Sequence, residues 1–486
     1  MAEARKLRID GAWIMGEGGT REKHSQRDGR VLAEVSQASA GQVQQAIDAA
    51  YHAFRTSYRK SPSYQRFEFL SKISAGIGAR KEEFVTLMAE EVGKPRNPAV
   101  AEIQRAQTTF LTAAEESKRM YGEIVPMDLL RGSEDRIGLS IRQPVGVVAA
   151  ITPFNYPLNL VAHKVAPALA TGCTVVLRPT TEAPLTALLL AEVIAEAADA
   201  TGVSQSVFNV VPCSTDAADV LLTSDKVAMV SFTGSGPVGQ HIKSRAGMKR
   251  VALELGSNAA NIVTPTADLD AAAAAIARGG FQFAGQSCIS AQRIYVHDAV
   301  YDAFAEKLAK AAGALKVGDP LEEGVEVGPM ISEDAAVRAE HWIQEAVRQG
   351  AAVATGGTRN GAYLTPTVLT NVTQEMLVVC EEVFAPLVAL QRYTDFAAVI
   401  EEVNRSHLGL NHGIFTHDLA EMLYAIEELE VGGVIVNDVS TYRADHMPYG
   451  GVKDSGTGRE GLRYAMQEMT ELKFAVINPE FRRLKG

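Results

Sequence analysis

The sequence predicts an α/β protein built on a doubly wound, Rossmann-like parallel sheet, and two observations support that fold class. From Pro144 onward, short apolar runs alternate with stretches of helical periodicity. The runs are rich in β-branched residues and lack strict polar alternation, which is typical of strands covered on both faces. The stretches between them suit crossover helices, so the strands are expected to lie parallel.

Five apolar runs form the predicted sheet: VGVVAAI, CTVVL, SVFNVV, VAMVSF and VALEL. A second α/β region begins near Asn258, with helices such as YDAFAEKLAKAAGAL and strands such as GGVIVN. One late strand, ELKFAVI, follows near the end of the chain. These patterns predict two α/β units and a separate terminal strand.

The first third is predicted to be mostly helical. In VQQAIDAAYHAFR, apolar residues recur every three or four positions, and YQRFEFLSKISAGI and EEFVTLMAEEVGKP repeat that pattern. Two extended segments, MYGEIVPMD and EDRIGLSIRQP, then flank a polar turn and predict a hairpin. An isolated hairpin is marginal in water and the late strand would leave an open edge, so we expect a homodimer or homotetramer.

Composition limits the classes of function. A chain of 486 residues with a net charge of −11 has room for two or three domains and disfavours nucleic acid or an anionic membrane as the main partner. Its four cysteines form no C-x-x-C pair and no cluster with histidine, so no metal site or disulfide framework is predicted. The N-terminus resembles no signal peptide, and cytoplasmic location is expected.

One glycine pattern poses a question about cofactor binding. Gly234, Gly236 and Gly239 form a G-x-G-x-x-G after the run VAMVSF, and Glu254 follows at the spacing of a ribose ligand. Three predicted strands precede this pattern, whereas a dinucleotide fingerprint belongs on the first strand. The alternatives are a plain strand–turn–helix opened by Pro237, or an ordinary alcohol or hydroxy-acid dehydrogenase.

Six segments in a fixed order resolve the question: ITPFNYP, FTGSGPVG, LELGSN, GQSC, EEVFAP and MPYGGVKDSGTGREG. Together they resemble the aldehyde dehydrogenase superfamily over about residues 10–478, and most resemble its lactaldehyde and non-phosphorylating glyceraldehyde-3-phosphate dehydrogenase branch. The resemblance implies an NAD(P)-binding domain at 1–119 and 144–257, and a catalytic domain at 258–450. It also implies a small β oligomerisation element at 120–143 and 468–480.

The resemblance implies three catalytic residues. Cys288 of GQSC is the nucleophile, because hydride leaves an aldehyde carbon readily only after a thiolate has added to it. The amide of Asn155 and the backbone N–H of Cys288 stabilise the resulting oxyanion. Glu254 of LELG is the base that activates water, so it is not a ribose ligand. The other cysteines are expected to be inert: Cys173, Cys213 and Cys380. A non-catalytic homologue is the alternative.

The resemblance also implies an NAD or NADP site, with the pyrophosphate at Ser235 on a helix N-terminus. Predicted cofactor contacts are Ile151, Thr152, Pro153, Phe154, Arg178, Thr180, Thr181, Phe232, Gly234, Ser235, Val238, Leu255, Gly256, Glu382 and Phe384. Arg178 and the uncharged Thr181 occupy positions where the family usually has lysine and glutamate. Since a guanidinium grips phosphate and no carboxylate repels it there, NADP is expected to be accepted.

Four residues are predicted to contact the aldehyde: Arg105, Tyr156, Ser287 and Arg443. Two arginines converging on the substrate funnel favour an anionic or polyhydroxylated small aldehyde. The alternative is that both are surface arginines paired with nearby carboxylates. Ser287 weakens a phosphate substrate in particular, because several phosphate-type relatives carry arginine there. Succinate semialdehyde, lactaldehyde and sulfonated or phosphonated aldehydes all remain open.

Overall fold

The computed structural model describes residues 4–478. Its helices are α1 (Ala40–Thr56), α2 (Ser63–Ala79), α3 (Lys81–Val92), α4 (Arg96–Ser117), α5 (Asn159–Thr171), α6 (Pro184–Thr201), α7 (Thr215–Thr223), α8 (Gly236–Arg245), α9 (Leu269–Phe281), α10 (Tyr301–Gly313), α11 (Glu333–Arg348), α12 (Leu377–Cys380), α13 (Phe396–Asn404), α14 (Leu419–Glu428) and α15 (Leu462–Glu468). The helices predicted in the first third are present as α1, α2 and α3.

The strands are β1 (Leu7–Ile9), β2 (Ala12–Ile14), β3 (Thr20–His24), β4 (Val31–Ser36), β5 (Glu123–Pro126), β6 (Ile137–Pro144), β7 (Val147–Ile151), β8 (Thr174–Arg178), β9 (Phe208–Val210), β10 (Val227–Thr233), β11 (Arg250–Glu254), β12 (Ala260–Val263), β13 (Arg293–His297), β14 (Ala352–Thr355), β15 (Arg359–Asn360), β16 (Tyr363–Leu364), β17 (Thr367–Thr370), β18 (Leu387–Tyr393), β19 (Leu408–Gly409), β20 (Asn411–Phe415), β21 (Gly433–Val436), β22 (Val452–Lys453), β23 (Gly456–Thr457) and β24 (Thr470–Ile477).

The first large sheet confirms the predicted doubly wound fold. Its strand order is β2-β1-β9-β8-β7-β10-β11-β23, and the five strands from β9 to β11 in this order run parallel. The chain moves outward from β7 to β9 and then returns to β10 beside β7, so the order reverses between β7 and β10. Ligands of such sheets bind at this reversal, beyond the carboxyl ends of the strands.

The prediction of a mostly helical first third is wrong for the residues before α1, which form β1 to β4. Leu7 and Ile9 of β1 are fully buried, and β1 pairs antiparallel with both β2 and β9. A three-residue strand is too short to show a period of two in the sequence. Pairing with a strand almost 200 residues further along the chain therefore decides its conformation.

The second large sheet has the order β14-β17-β18-β13-β12-β20-β21, parallel except for β14. Separate apolar cores pack against the two large sheets. Because α/β strands buried on both faces need helices on both sides, each sheet carries its own helical layers. The loop between β11 and β12 runs from one unit to the other. The loop between α9 and β13 lies where the two units meet. Both loops carry residues of the predicted active site.

A third sheet, ordered β24-β6-β5, contains the predicted hairpin and the late strand. β5 and β6 pair antiparallel, and β24 pairs with β6 along all of its eight residues within the same chain. Apolar side chains on this sheet remain exposed, Ile124 by 78% and Leu472 by 62%. Residues 479 and 480 of the predicted element 468–480 lie outside the described residues.

Candidate active site

A cleft of about 390 Å³ lies at the carboxyl ends of β7 and β10, where the strand order reverses. Every residue predicted to contact the cofactor lines this cleft except Thr181: the lining holds Ile151, Thr152, Pro153, Phe154, Arg178, Thr180, Phe232, Gly234, Ser235, Val238, Leu255, Gly256, Glu382 and Phe384. The Thr181 hydroxyl instead donates to Glu182 at 3.4 Å. Thr181 is thus the one predicted cofactor contact that does not line the cleft, and its contact with the cofactor stays a prediction.

The cleft has the groups that an anionic dinucleotide requires. Ser235 is the N-cap of α8 and its side chain makes no capping bond, so the first N–H groups of the helix face the cleft without that partner. Arg178 Nε and Thr233 Oγ1 are buried without a hydrogen-bond partner among residues 4–478. A Cβ on Gly256 would come within 2.5 Å of the Glu382 carboxylate, so only glycine leaves that approach open.

Glu382 is held at the inner end of the cleft. The backbone N–H of Ser257 donates to its carboxylate at 3.0 Å. Burial raises the pKa of Glu382 to about 7, opposed by that hydrogen bond and by Arg338. Phe384 packs edge-on against Phe154, with ring centroids 5.9 Å apart.

Cys288 follows a 3₁₀ turn, Gln282–Gly285, in which Phe283 and Ala284 both have φ of 53°. Non-glycine residues in this left-handed region are uncommon and concentrate at functional sites. The Sγ atom lies 3.1 Å from the hydroxyl of Tyr449. Burial raises the pKa of the Cys288 thiol to about 12, and the tyrosine hydroxyl opposes that shift.

Asn155 is fixed from both sides. Its side-chain Nδ2 donates to the backbone carbonyl of Gln286 at 3.0 Å. The backbone carbonyl of Asn155 accepts from Lys94 Nζ at 2.6 Å. Lys94 is fully buried in an ion pair with Glu102, whose other oxygen accepts the backbone N–H of Leu158 at 2.9 Å. One N–H of the Asn155 amide remains for a substrate oxygen.

Glu254 ends β11 and is buried, and its Oε2 has no hydrogen-bond partner among the described residues. Burial, reinforced by the charge of Glu460, raises the pKa of Glu254 well above its usual value. Burial also acts on Glu460, but Lys164 at 3.1 Å and Arg443 at 2.8 Å lower the pKa of that carboxyl. Two neighbouring carboxyls with opposed shifts are an arrangement that separates an acid–base group from a fixed charge.

A second cavity, of about 260 Å³, contains all four residues predicted to contact the aldehyde: Arg105, Tyr156, Ser287 and Arg443. The sequence did not identify further residues of its wall: Lys94, Glu102, Arg278, Gln282, Asp438, Thr441 and Tyr442. Arg278 and Gln282 lie one helical turn apart just before the GQSC segment. That spacing upstream of the cysteine is the signal that would have found them.

The arginines of this cavity differ in their pairing. Arg105 donates to Asp445 at 2.8 Å, and Arg443 pairs with Glu460. Both arginines are thus paired with nearby carboxylates, as the alternative predicted, but Arg443 is not a surface residue, since its side chain is only 5% exposed. Arg278 is exposed, and its side chain forms no hydrogen bond or ion pair with any residue in 4–478. It is therefore free to meet a charged group in the cavity.

Two pairs of chain neighbours divide the cleft from the cavity. Asn155 and Cys288 line the cleft, whereas Tyr156 and Ser287, next to them in sequence, line the cavity. The predicted nucleophile and oxyanion donor thus lie where the two spaces meet. Because Cys288 lines the cleft and its neighbour Ser287 lines the cavity, the two spaces adjoin at Cys288.

This geometry agrees with comparison to known proteins. The sequence profile of the aldehyde dehydrogenase family matches residues 13–475. The chain belongs to this family, which confirms the resemblance seen in its motifs. It is an enzyme, an NAD(P)-dependent aldehyde dehydrogenase, and the alternative of a non-catalytic homologue is not supported.

Three relatives place it more closely. The chain is 47% identical over 449 residues to a 3-sulfolactaldehyde dehydrogenase of Priestia aryabhattai, covering 92% of each chain. It is 41% identical to aldehyde dehydrogenase 21 of Physcomitrella patens in complex with succinate, with a TM-score of 0.95 and 99% of each chain covered. A Methanocaldococcus jannaschii glyceraldehyde-3-phosphate dehydrogenase complexed with NADP is 38% identical, with a TM-score of 0.90, over 94% of this chain and 99% of that one.

Neither a membrane-spanning helix nor a group of metal ligands is present in the part of the chain that the structure describes. No helix among residues 4–478 is long and apolar enough to cross a membrane. Within the same residues, no group of three or more histidine, cysteine or acidic side chains could hold a metal ion.

Proposed function

We propose that this enzyme oxidises a small aldehyde carrying an anionic group, through a thioester on Cys288. The observation that carries the proposal is Arg278, an arginine on the cavity wall without a carboxylate partner in the described chain. Arg105 and Arg443 add positive potential there, although Asp445 and Glu460 offset their charges. An unpaired guanidinium in a cavity of about 260 Å³ suits a short anionic molecule.

The relatives support the same substrate class. Their names and complexes refer to a sulfonated aldehyde, a phosphorylated aldehyde and the dicarboxylate succinate. These share a short carbon chain with an anion at the end opposite the reacting carbon. We propose this shared class of substrate for the present chain, and not one particular acid.

The residues at the junction support a two-stage reaction. The Cys288 thiol gives its proton to solvent water, and Sγ forms a bond to the aldehyde carbon. The carbonyl oxygen becomes an oxyanion that accepts from the Asn155 amide and the Cys288 backbone N–H. A nicotinamide bound in the cleft supplies the acceptor for the hydride, which leaves a thioester on Sγ. Glu254 then takes a proton from attacking water, the carbon–sulfur bond breaks and the acid departs.

We infer that NADP is accepted at this site. Arg178 lines the cleft with an unpartnered Nε, and the nearby Glu182 is engaged by Arg21 at 3.5 Å and Lys23 at 3.7 Å. Since those cations offset the one carboxylate near the ribose end, a 2′-phosphate meets mainly positive charge. A kcat/KM with NAD far above that with NADP would contradict this inference.

Assembly and location are also proposals. The exposed apolar residues of β5 and β24 favour burial against a second copy in a homodimer or homotetramer, which sedimentation would measure. The four cysteines are unpaired, which suits a reducing compartment such as the cytoplasm.

The substrate proposal is tested with a charged and a neutral aldehyde of equal length, succinate semialdehyde and butanal. We expect Arg278→Leu to lower kcat/KM about fivefold for the charged aldehyde, because an exposed charged contact contributes on the order of 1 kcal/mol, and to leave butanal within about twofold. The matched control is Arg348→Leu, which removes an exposed arginine of α11 paired with Glu345. Equal losses for both aldehydes would reject an anionic substrate class at this cavity.

A further inference from the structure

The hydroxyl of Tyr449 is the one polar group that the described chain places against the Cys288 sulfur. The two atoms are 3.1 Å apart, and neither has another hydrogen-bond partner in residues 4–478. Tyr449 is 2% exposed and packs with Ile289 and Leu410 beside the cysteine. The contact is therefore sheltered from water and fixed by packing.

The direction of this hydrogen bond changes with the charge on sulfur. A thiol can donate to a phenol or accept from it, whereas a thiolate can only accept. Burial raises the pKa of Tyr449 well above its usual value, so the phenol keeps its proton and can donate. The guanidinium of Arg443 lies 3.6 Å from the centre of the Tyr449 ring, and a cation in that place strengthens the phenol as a donor.

Burial also makes a thiolate costly at this position. A buried sulfur without a donor favours the neutral thiol, which is a poor nucleophile. A hydrogen bond from a neutral donor to a charged acceptor is stronger than one between neutral groups. Tyr449 thus supplies Sγ with the hydrogen-bond donor that its apolar surroundings lack.

We propose that Tyr449 is a further catalytic residue of this enzyme, whose phenol donates a hydrogen bond to the Cys288 thiolate. The bond holds the charge on Sγ before attack and again when the carbon–sulfur bond of the thioester breaks. The phenol transfers no proton: the proton of the thiol passes to solvent water, and that of the phenol stays on its oxygen. This role rests on the proposed function of Cys288 as nucleophile.

The test follows alkylation of Cys288 by iodoacetamide as a function of pH, with Cys288→Ala to identify the modified residue. We expect Tyr449→Phe to move the midpoint of alkylation upward by about one to two pH units, the size of a charge-assisted hydrogen bond. Turnover should fall about ten- to a hundredfold. Tyr442→Phe is the matched control, since it removes a phenol from the wall of the neighbouring cavity of about 260 Å³, and should not move the midpoint.

The outcomes separate the two proposals. An unchanged midpoint in Tyr449→Phe, or an equal shift in Tyr442→Phe, would overturn the role of Tyr449 and leave Cys288 as nucleophile. Full turnover in Cys288→Ala would instead overturn the proposed function. If thermal melting shows that the phenylalanine variant is unfolded, Tyr449→Met gives the same reading with a flexible side chain that lacks the donor.

Discussion

The cleft and the cavity meet at one sulfur atom but are built differently. The cleft is lined by strand ends, glycines and apolar side chains, with Arg178 and Glu382 as its charged groups. The cavity collects charged residues from Lys94, α4, α9 and the segment before β22. Lys94, Glu102, Arg105 and Arg443 are in ion pairs, whereas Arg278 and Asp438 have no ion-pair partner in residues 4–478. The wall of the cleft is thus mainly backbone and apolar side chains, whereas the wall of the cavity is mainly charged.

The largest expected effect concerns the atom shared by both spaces. Cys288→Ala should reduce turnover at least ~10⁴-fold, because no other group on the wall can form the covalent intermediate. Steady-state rates with either cofactor measure it. Cys173→Ala, at a fully buried cysteine beside β8, is the control and should retain turnover. Comparable activity in both variants would break the idea that cleft and cavity serve one nucleophile.

Glu254→Gln should lower turnover by ~10²–10³-fold while leaving an initial burst of reduced cofactor. The burst remains because formation of the thioester does not need the water-activating base, whereas hydrolysis of the thioester does. The carboxylate is the active form and its pKa is raised by burial. Activity should therefore fall, on acidification, at a higher pH than an ordinary glutamate would give. Rapid-mixing kinetics across pH measure both effects. A wild-type acidic limb near the ordinary glutamate pKa, or a variant without a burst, would contradict this role.

Asn155→Ala should cost about a hundredfold in kcat, the usual loss for one oxyanion donor. The same change removes the hydrogen bond to the Gln286 carbonyl, so thermal melting should accompany the kinetics. Asn404→Ala is a suitable control, since it removes a partly exposed amide far along the chain that bonds to the backbone of Glu428 and Glu430. Loss of substrate affinity with kcat intact would place Asn155 in binding, on the cavity side of the boundary.

The smallest of these expected effects concerns Arg178 in the cleft and the preference between NADP and NAD. Arg178→Gln should lower kcat/KM for NADP about tenfold more than for NAD, because the lost guanidinium faces the extra phosphate. The ratio of the two cofactors in one preparation serves as its own control for folding. An equal loss with both would show that Arg178 contributes to the shape of the cleft and not to its charge preference.

The cofactor cleft was predictable because its residues follow strands directly. Ile151 to Asn155 continue β7, Phe232 to Ser235 continue β10, and both segments carry recognisable motifs. The exception is Thr181, which lies in a turn after β8. In a turn the side-chain direction changes from one residue to the next, so the Thr181 side chain does not line the cleft. Local sequence determines which residues end a strand but not how a following turn directs each side chain.

The sequence by itself determined the family and the alternation of strands and helices, and it predicted Cys288, Glu254 and Asn155 as the catalytic residues. Tertiary structure decided the rest: that β1 joins the cofactor sheet, that Tyr449 contacts Cys288, and that Arg278 alone of the cavity arginines lacks a carboxylate in the described residues. Periodicity and motifs are local properties of the chain. Pairing of charges and contact with one sulfur depend on residues that only folding brings together.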